Sequence, residues 1–447
     1  MKKRIIAVVV LLLIIVSLPN IGNSFIQNRV DERLVELESF GLQVSKDVTI
    51  SNYFKTSRHF EFLLKDPQKF LEYLQKYSDK QFPPYVNAML EGVLIGTDIK
   101  YSNLPFAKSF EIEIYPMQFS QKMNEKLKSF LALKGLLYHI DYNLLNADFK
   151  GYIKDIKENF SLQNDTQLNL LLDSAKFSGN GALLAPNELS SKIKELQFEL
   201  VQEKKSLKVV FHKLKSSTNF ESANTYLTNV DVDSMLLLLK GTGDEVNISM
   251  DSLRVNASSN DQGESTQLNS KTSLKSLEFT SNQSRFTMKK FNFDVALSGL
   301  DKQEYINFAQ LVSQNNMKVT GDYSKDLKES MVKLLSKGVF FEVADFSIKE
   351  FSKDSAKPIK GFTLKSTLTI KEDAALSHKM KISPFMAIPN ISLQSEIRIS
   401  KELYNKLKKE NGMLARFSTY EKEDGDDYVF ILKFLDTKAS LNGRRLN

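Results

Sequence analysis

The stretch from Val246 to Val255 reads VNISMDSLRV and places apolar residues at Ile248, Met250, Leu253 and Val255. Apolar residues two positions apart are typical of a strand with one buried face, because successive side chains point to opposite sides. The two polar residues in the middle interrupt this alternation and would move the second half onto the opposite face. A β-bulge at that step restores the apolar side chains to one face and bends the strand.

The same scheme recurs along the second half of the chain. Full copies occupy Phe286, Met288, Phe291, Phe293 and Phe341, Val343, Phe346, Ile348, and partial copies occupy Val209, Phe211, Leu214 and Leu274, Leu277, Phe279. Chance is the alternative, since two-residue gaps are also common between separate strands. The repetition favours a real pattern. We therefore predict an α+β fold dominated by β-structure, in which a large curved, mostly antiparallel sheet carries a few covering helices.

Turns and helices fit between the predicted strands. Asp424-Gly425 and Asn442-Gly443 are hairpin signals, and the polar stretch 256–273 is predicted to be a solvated loop. Apolar residues at helical spacing predict helices over 66–77, 301–316 and about 325–337, with a further one after residue 400.

The N-terminus predicts a membrane anchor. Lys2, Lys3 and Arg4 precede an apolar run that begins at Ile5 and extends to about residue 24. Basic residues stay on the cytoplasmic side, so the rest of the chain is expected in the periplasm. A cleaved signal peptide is the alternative, because the uninterrupted apolar core is shorter than the ~20 residues of a comfortable span. The lack of an A-x-A site favours a retained anchor.

The predicted organisation has three parts. Residues 1–24 form the anchor, residues 25–40 an amphipathic connecting helix that Gly41 ends, and residues 41–447 a periplasmic β-rich region. A subdivision of that region is predicted near residues 185–200.

Composition excludes several classes of function. The chain of 447 residues has no cysteine, which removes disulfides, thiolate ligands and thiol nucleophiles. Its 61 Lys+Arg against 54 Asp+Glu give a net charge of +7, scattered in short pairs rather than in a basic stripe. We therefore expect no nucleic-acid partner.

No motif adds up to a catalytic, cofactor or metal site. Ser191 and Lys194 have the SxxK spacing of serine acyl enzymes, but no partner motif follows. The four histidines lie far apart in sequence, and His139 and His212 fall at polar positions of strands, where exposed side chains are expected. The acidic run from Glu421 to Asp427 does not match a calcium loop and is interpreted as a hairpin tip. We predict no enzymatic activity, no cofactor and no metal.

Short motifs resemble the YdgA-like family of Gram-negative envelope proteins. The stretches Gly41–Ser45, Tyr138–Asn143, Phe149–Gly151 and Asp436–Gly443 carry the resemblance, together with the N-terminal order of elements. Tyr53–Ser57 departs from the family's arginine-glycine pair after the first strand. The resemblance implies an inner-membrane-anchored periplasmic protein of unassigned function, and it carries over no catalytic residues.

Two binding functions are expected from this architecture. The first is a scaffold or binding surface for another envelope protein, with a homo-oligomer as one possibility. The alternative, by analogy with AsmA-like proteins, is a lipid-binding or lipid-transfer protein. Its apolar groove on the curved sheet is predicted at Phe286, Met288, Phe291, Phe293, Phe341, Val343, Phe346 and Ile348.

Overall fold

The computed structural model describes most of the chain in two compact units, residues 1–203 and 204–447. The described residues are 23–24, 26–78, 90–104, 109–119, 138–161, 165–183, 185–222, 225–241, 243–282, 284–315, 321–354, 356–410 and 414–446. Both units consist mainly of antiparallel strands with few helices, so the predicted β-dominated α+β class is confirmed. The boundary between the units lies just after the predicted subdivision near 185–200.

The anchor predicted over residues 1–24 lies outside the described residues, apart from positions 23 and 24. Within the described part of the chain, the helices lack the combination of length and apolar character that a membrane crossing requires. Residues 26–39 form helix α1, over most of the stretch for which apolar spacing predicts a connecting helix. Gly41 follows it with a φ of +90°, and a Cβ there would lie 2.2 Å from the Asp66 carbonyl oxygen, so only glycine fits this corner.

The first unit is an antiparallel sheet whose first six strands form a meander. Its strands are β1 (Leu42–Ser51), β2 (Lys55–Leu64), β3 (Leu94–Ser102), β4 (Ser109–Gln118), β5 (Tyr138–Asn143), β6 (Asp148–Ile153), β7 (Ile156–Ser161), β8 (Thr166–Asp173), β9 (Ala175–Ala182) and β10 (Ala185–Gln202), with helix α2 (Pro67–Ser78) after β2. Strands β8 and β9 lie end to end, and the long strand β10 pairs with both. Ser174, at a φ of +53°, joins them.

The core of the first unit forms where α1 packs on strand β2. Strict alternation in β2 puts Phe60, Phe62 and Leu64 on one face, where they are buried with Leu42 and Val93. The apolar side of α1 packs against this cluster through Val30, Leu34 and Leu37. Alternation with period two in β2 and apolar spacing along α1 thus bury one face of each element.

The second unit is a longer meander with helices inserted between its later strands. Its strands are β11 (Lys205–Phe220), β12 (Tyr226–Lys240), β13 (Glu245–Gln262), β14 (Ser265–Ser281), β15 (Arg285–Asp301), β16 (Val339–Lys353), β17 (Ile359–Ile370), β18 (Ile391–Ser400), β19 (Lys422–Asp424), β20 (Asp427–Leu435), β21 (Lys438–Leu441) and β22 (Arg444–Arg445). Its helices are α3 (Lys302–Asn315), α4 (Gly321–Ser336), α5 (Leu376–Ile382) and α6 (Lys401–Glu410), with 3-10 helices at Pro384–Asn390 and Leu414–Tyr420. Each helix falls where the sequence predicts one, except for the short α5 and the 3-10 turns, which were not predicted.

The predicted solvated loop over 256–273 is wrong. Strands β13 and β14 extend through this stretch and pair from Val246↔Ser281 to Gln262↔Ser265. A tight turn at Gly263, with a φ of +67°, connects them. The polar composition misled the prediction because both faces of a strand end can be solvated while its backbone hydrogen bonds are made across the pair.

The predicted bulges are correct at one copy of the pattern and wrong at the other two. At Phe341–Ile348 the pairing of β16 with β17 does shift register between Val343 and Phe346. At the Ile248 and Phe286 copies the pairing is unshifted across the two-residue step. There, Ser252 and Lys290 adopt left-handed φ values of +58° and +55° instead.

These left-handed residues lie at one level of the sheet. Lys213, with a φ of +50°, occupies the same step in β11. The residues that follow the three, Leu214, Leu253 and Phe291, belong to one cross-strand row. The left-handed residues lie in the alternate strands β11, β13 and β15, whereas Asp233 of β12 and Lys275 of β14 have no left-handed φ, and the pairing across the step keeps its register.

A further two-residue step lies between Leu297 and Leu300. They are three positions apart in β15, with Gly299 at a φ of +76° between them. Both nevertheless belong to one buried cluster, with Leu334 of α4 and Val339 of β16. The pairing of β15 with β14 shifts register by one residue here, between Leu268↔Leu297 and Thr266↔Leu300, so this step is a β-bulge that returns Leu297 and Leu300 to one face.

Candidate functional site

The second unit carries a continuous row of apolar side chains across nine strands. Each member lies directly opposite the next in an antiparallel pair, so all point to the same face. This central apolar row consists of Leu214, Val232, Leu253, Leu274, Phe291, Ile348, Phe362, Ile399 and Tyr428. Its eight strand spacings of ~4.8 Å give a length of roughly 38 Å.

Rows on either side of the central row are also apolar. Two residues further along β15, Phe293 lies opposite Phe346, which lies opposite Leu364 and then Ile397 and Phe430. We call the level of the two-residue polar step the phase change. On the other side of it, a second row joins Phe211, Met235, Met250, Leu277, Met288, Phe351 and Ile359. We call the central row and these two neighbours the apolar face.

The structure brings four of the eight predicted groove residues into one cluster. Phe291 and Phe293 both meet the ring of Phe346 edge to face, with centroids 5.9 and 5.7 Å apart, and Phe346 also meets Phe362 at 5.2 Å. Ile348 lies opposite Phe291 in the same patch. Offset and edge-to-face contacts of this kind stabilise a surface of rings without closing it.

The other four predicted residues lie apart from this cluster. Phe286 is across the phase change, where its ring packs against Phe279 and Phe351 at 6.0 and 6.3 Å, and Met288 lies opposite Phe351. Phe341 and Val343 lie beyond the bulge of β16, and Val343 is buried, 8% exposed. The eight residues therefore form three groups along β15 and β16.

Most of the apolar face is half-buried rather than enclosed. Seven of the eight predicted residues are half-buried, Val343 being the exception. Helices α3 and α4 pack at one end of the strands, around Leu300, and α6 packs on β20 through Tyr404 and Phe430. Within the described residues, the buried clusters do not include the rings of Phe291, Phe293 or Phe346. The rings that contact Phe346 belong to the same sheet.

The phase change itself carries a line of ion pairs. Lys213 meets Asp233 at 3.0 Å, Lys275 meets Asp251 at 2.9 Å, and Lys289 meets Glu350 at 3.6 Å. All are surface pairs whose net contribution is small individually. Their positions explain the two-residue polar step of the sequence pattern.

The catalytic candidates of the sequence have structural partners. Lys194 Nζ lies 2.5 Å from Asp173 Oδ2, and this hydrogen bond raises the pKa of Lys194. A raised pKa is opposite to what a lysine base needs to activate Ser191. At the acidic hairpin, Asp424 pairs with Arg398 at 2.7 Å and Glu421 with Lys408 at 3.0 Å.

Histidines do not assemble a metal site in the described part of the chain, where no group of three or more ligand side chains comes together. The prediction that His139 is an exposed strand histidine is wrong, because its side chain is only 17% exposed. Tyr152 on the neighbouring strand stacks on it at 4.9 Å. A sequence does not show which residue lies opposite a strand position, so this cover could not be predicted from β5 alone.

Sequence analysis recognised five of the nine residues of the central apolar row but did not join them into a row. Leu214, Leu253, Leu274, Phe291 and Ile348 were recognised as parts of separate patterns, and the signal that joins them is the position of each hairpin turn. A hairpin turn fixes one pair of opposite residues. In two antiparallel strands without a bulge, the residue numbers of all opposite residues then add up to the same value, so the rest of the row can be derived from the turn.

Comparison with known proteins gives no relative: no family model, curated protein or solved structure matches this chain. The resemblance to the YdgA-like family therefore remains a prediction.

Proposed function

We propose that this chain is a membrane-anchored periplasmic envelope protein without enzymatic activity, whose apolar face binds an acyl chain of a lipid. The observation that carries the proposal is the central apolar row, unbroken over nine strands from Leu214 to Tyr428. A contiguous apolar surface of more than a few hundred Å² normally marks an interaction site on a water-soluble region.

The chemistry of the face favours an acyl chain over a protein surface. Protein interfaces carry about one hydrogen bond per 100–200 Å². The central row offers only one side chain able to form one, Tyr428 at its end. An acyl chain needs none. Met235, Met250 and Met288 in the adjoining row add flexible contacts that suit a ligand of variable shape.

The central apolar row is also long enough to hold an acyl chain. Half of a hydrocarbon core of ~30 Å is about 15 Å, which is the depth that one acyl chain spans in a leaflet. A row of roughly 38 Å exceeds that length more than twofold. The predicted N-terminal anchor would keep the face close to a source of lipid.

A photocrosslinking experiment in cells tests this function with a matched pair of sites. A benzophenone amino acid replaces Phe293, on the apolar face, or its neighbour Asn292, which lies opposite Ser347 on the reverse face. After irradiation, the full chain is purified and its adducts are identified by mass spectrometry. We expect a lipid adduct at position 293 and none at 292.

Three outcomes reject the proposal. Equal lipid adducts at both positions would show non-specific contact with lipid or detergent. A protein adduct alone at position 293 would assign the face to a partner protein. No adduct at position 293, in a chain that crosslinks to lipid at a control site in the predicted anchor, would leave the face unoccupied.

A scaffold for another envelope protein is the second candidate, and a different surface favours it. Among the described strands, β1 pairs only with β2, so one of its edges is open. Ile50 in β1 is 72% exposed and Phe54 in the following turn is 60% exposed. An open strand edge with exposed apolar side chains is a site where a partner strand can pair. A benzophenone at Ile50 that captures a protein would support this function.

A further inference from the structure

The first unit has a polar row that runs across its sheet. His59, Asp98, Glu113, His139, Tyr152, Lys176 and Lys192 lie directly opposite one another in successive strands and share one face. The neighbouring positions of the same strands form the opposite, apolar face, with Ile99, Ile112 and Ile140 in register. A row this rich in titratable groups is not needed to hold the strands together, since Thr, Val or Tyr would pair equally well.

In the acidic part of the row, the carboxylates have partners. Asp98 accepts a hydrogen bond from Tyr115 at 3.0 Å and lies 2.8 Å from Nδ1 of His59. Glu113 lies 3.2 Å from Lys100 Nζ. Asp98 and Glu113 oppose each other directly, and each has polar partners within the sheet.

The basic end of the row is not balanced in this way. Lys176 lies directly opposite Lys192. Like charges in that position are destabilising. Within the described residues, neither lysine has an acidic partner, whereas Lys150 of the adjoining row lies 3.8 Å from Asp141. Three ammonium groups therefore gather with one carboxylate among them.

These lysines surround a recess of about 370 Å³. Besides the three lysines, its walls include His139, Asp141, Tyr152, Ser178 and Ser190. Ser178 and Ser190 oppose each other and bring two hydroxyl groups that can donate hydrogen bonds. Tyr152 is 41% exposed, while stacking on His139 at an interplanar angle of 22° holds its ring in place.

We propose that this recess binds a phosphate group, held by Lys176 and Lys192 with help from Lys150 and the two serine hydroxyls. A dianion resolves the repulsion between the opposed lysines, and lysine is a common phosphate ligand that acts as a point charge. The exposed face of Tyr152 provides a platform for whatever ring or chain carries the phosphate. This site is independent of the apolar face and of the function proposed for it.

The test measures binding of inorganic phosphate to the full chain by ³¹P NMR, in a detergent without phosphate. The double variant Lys176→Gln, Lys192→Gln removes the opposed pair. Its matched control, Lys204→Gln, Lys205→Gln, removes two exposed lysines that are not part of the recess. We expect at least a tenfold loss of affinity in the first variant and less than a twofold change in the control, since only the first variant removes charged hydrogen-bond donors of the recess.

A second arm separates the two sources of phosphate. Vesicles of phosphatidylcholine with and without phosphatidic acid are offered to the chain held in nanodiscs that contain no anionic lipid. Binding of phosphatidic acid vesicles without binding of inorganic phosphate assigns the recess to a lipid headgroup, and the reverse assigns it to a soluble phosphate. Either kind of binding supports the site if the double variant Lys176→Gln, Lys192→Gln abolishes it.

Other outcomes overturn the proposal. Equal losses in the two double variants would show non-specific attraction to a chain of positive net charge. Absence of binding in both arms would show that the recess takes no phosphate. The thermal midpoint provides a check on folding: relief of the opposed charges should leave it unchanged or raise it, and a clear fall would show that the lysine pair has a structural role instead.

Discussion

Tyr115 illustrates how a strand position that looks ordinary in sequence acquires unusual chemistry. It lies on β4, and its hydroxyl donates a hydrogen bond to Asp98 Oδ2 at 3.0 Å beside the ring of His59. Burial, followed by this hydrogen bond and the nearby carboxylates, raises the pKa of Tyr115 to about 12. After burial, the largest cause is Asp98 on the neighbouring strand, which lies 17 positions from Tyr115 in sequence.

A spectrophotometric titration of the phenolate absorbance tests this assignment. Tyr115 should ionise in a late class, above the ordinary tyrosine value of about 10. Because the folded pKa is raised, the stability from this group is complete below pH ~10 and is lost as the pH rises through about 12. Tyr115→Phe should remove one tyrosine from the late class and leave Tyr404, whose pKa is also raised to about 12. An unchanged late class in Tyr115→Phe would contradict the assignment.

Strand β13 shows at the scale of an element how a sequence pattern can be recognised and its cause mistaken. Apolar spacing correctly placed Ile248 to Val255 in one strand, Glu245–Gln262. The predicted bulge requires an extra residue on one strand, whereas the structure uses a left-handed Ser252 with unshifted pairing. The choice depends on the pairing with neighbouring strands, which one strand's sequence does not contain.

Substitutions at Ser252 distinguish these two explanations. In a regular strand, valine is favourable and glycine unfavourable. At a φ of +58° the order reverses, because a left-handed residue with a Cβ costs roughly 1–2 kcal/mol and a β-branched one costs more. We expect Ser252→Val to lower the free energy of unfolding by at least about 1 kcal/mol and Ser252→Gly to leave it equal or higher. Urea denaturation followed by far-UV circular dichroism measures both.

The control for this comparison is the next even position in the same strand, Arg254, which is exposed and has no left-handed φ. Arg254→Val should be neutral or stabilising there, and Arg254→Gly destabilising. If positions 252 and 254 rank valine and glycine in the same order, the phase change does not depend on the left-handed conformation.

At the scale of the whole molecule, the sequence predicts architecture well and sites poorly. The β-dominated class follows from the period of the apolar residues, since a period of two survives any arrangement of the strands. Sites depend on pairs that lie far apart in sequence: Tyr152 covers His139, and Phe362 joins Phe346, only because successive hairpins bring them together. Those pairings follow from the positions of the turns. A wrong turn assignment, such as the predicted loop over 256–273, therefore removes a whole strand pair from the predicted sheet.

The two units also differ in how they use phenylalanine, and this difference gives the last prediction. Phe60 is fully buried between β2 and helix α1, at 0% exposure. Phe293 is half-buried among rings of its own sheet and belongs to none of the described buried clusters. Truncation of an enclosed phenylalanine leaves a cavity and costs about 3–5 kcal/mol. Truncation on an open face leaves no cavity, so only the area shared with neighbouring rings is lost, about 1 kcal/mol.

We therefore expect Phe60→Ala to lower the free energy of unfolding several times more than Phe293→Ala does, as measured by urea denaturation of the full chain. The comparison decides between a binding face and an ordinary core, because the two substitutions delete the same side chain and differ only in what lies above it. A cost at Phe293 equal to that at Phe60 would mean that other parts of the chain enclose the apolar face, leaving no room for an acyl chain. A small cost at Phe293, combined with loss of the lipid adduct when Phe346→Glu introduces a charge beside the crosslinking site, would show that the rings serve a ligand rather than the fold.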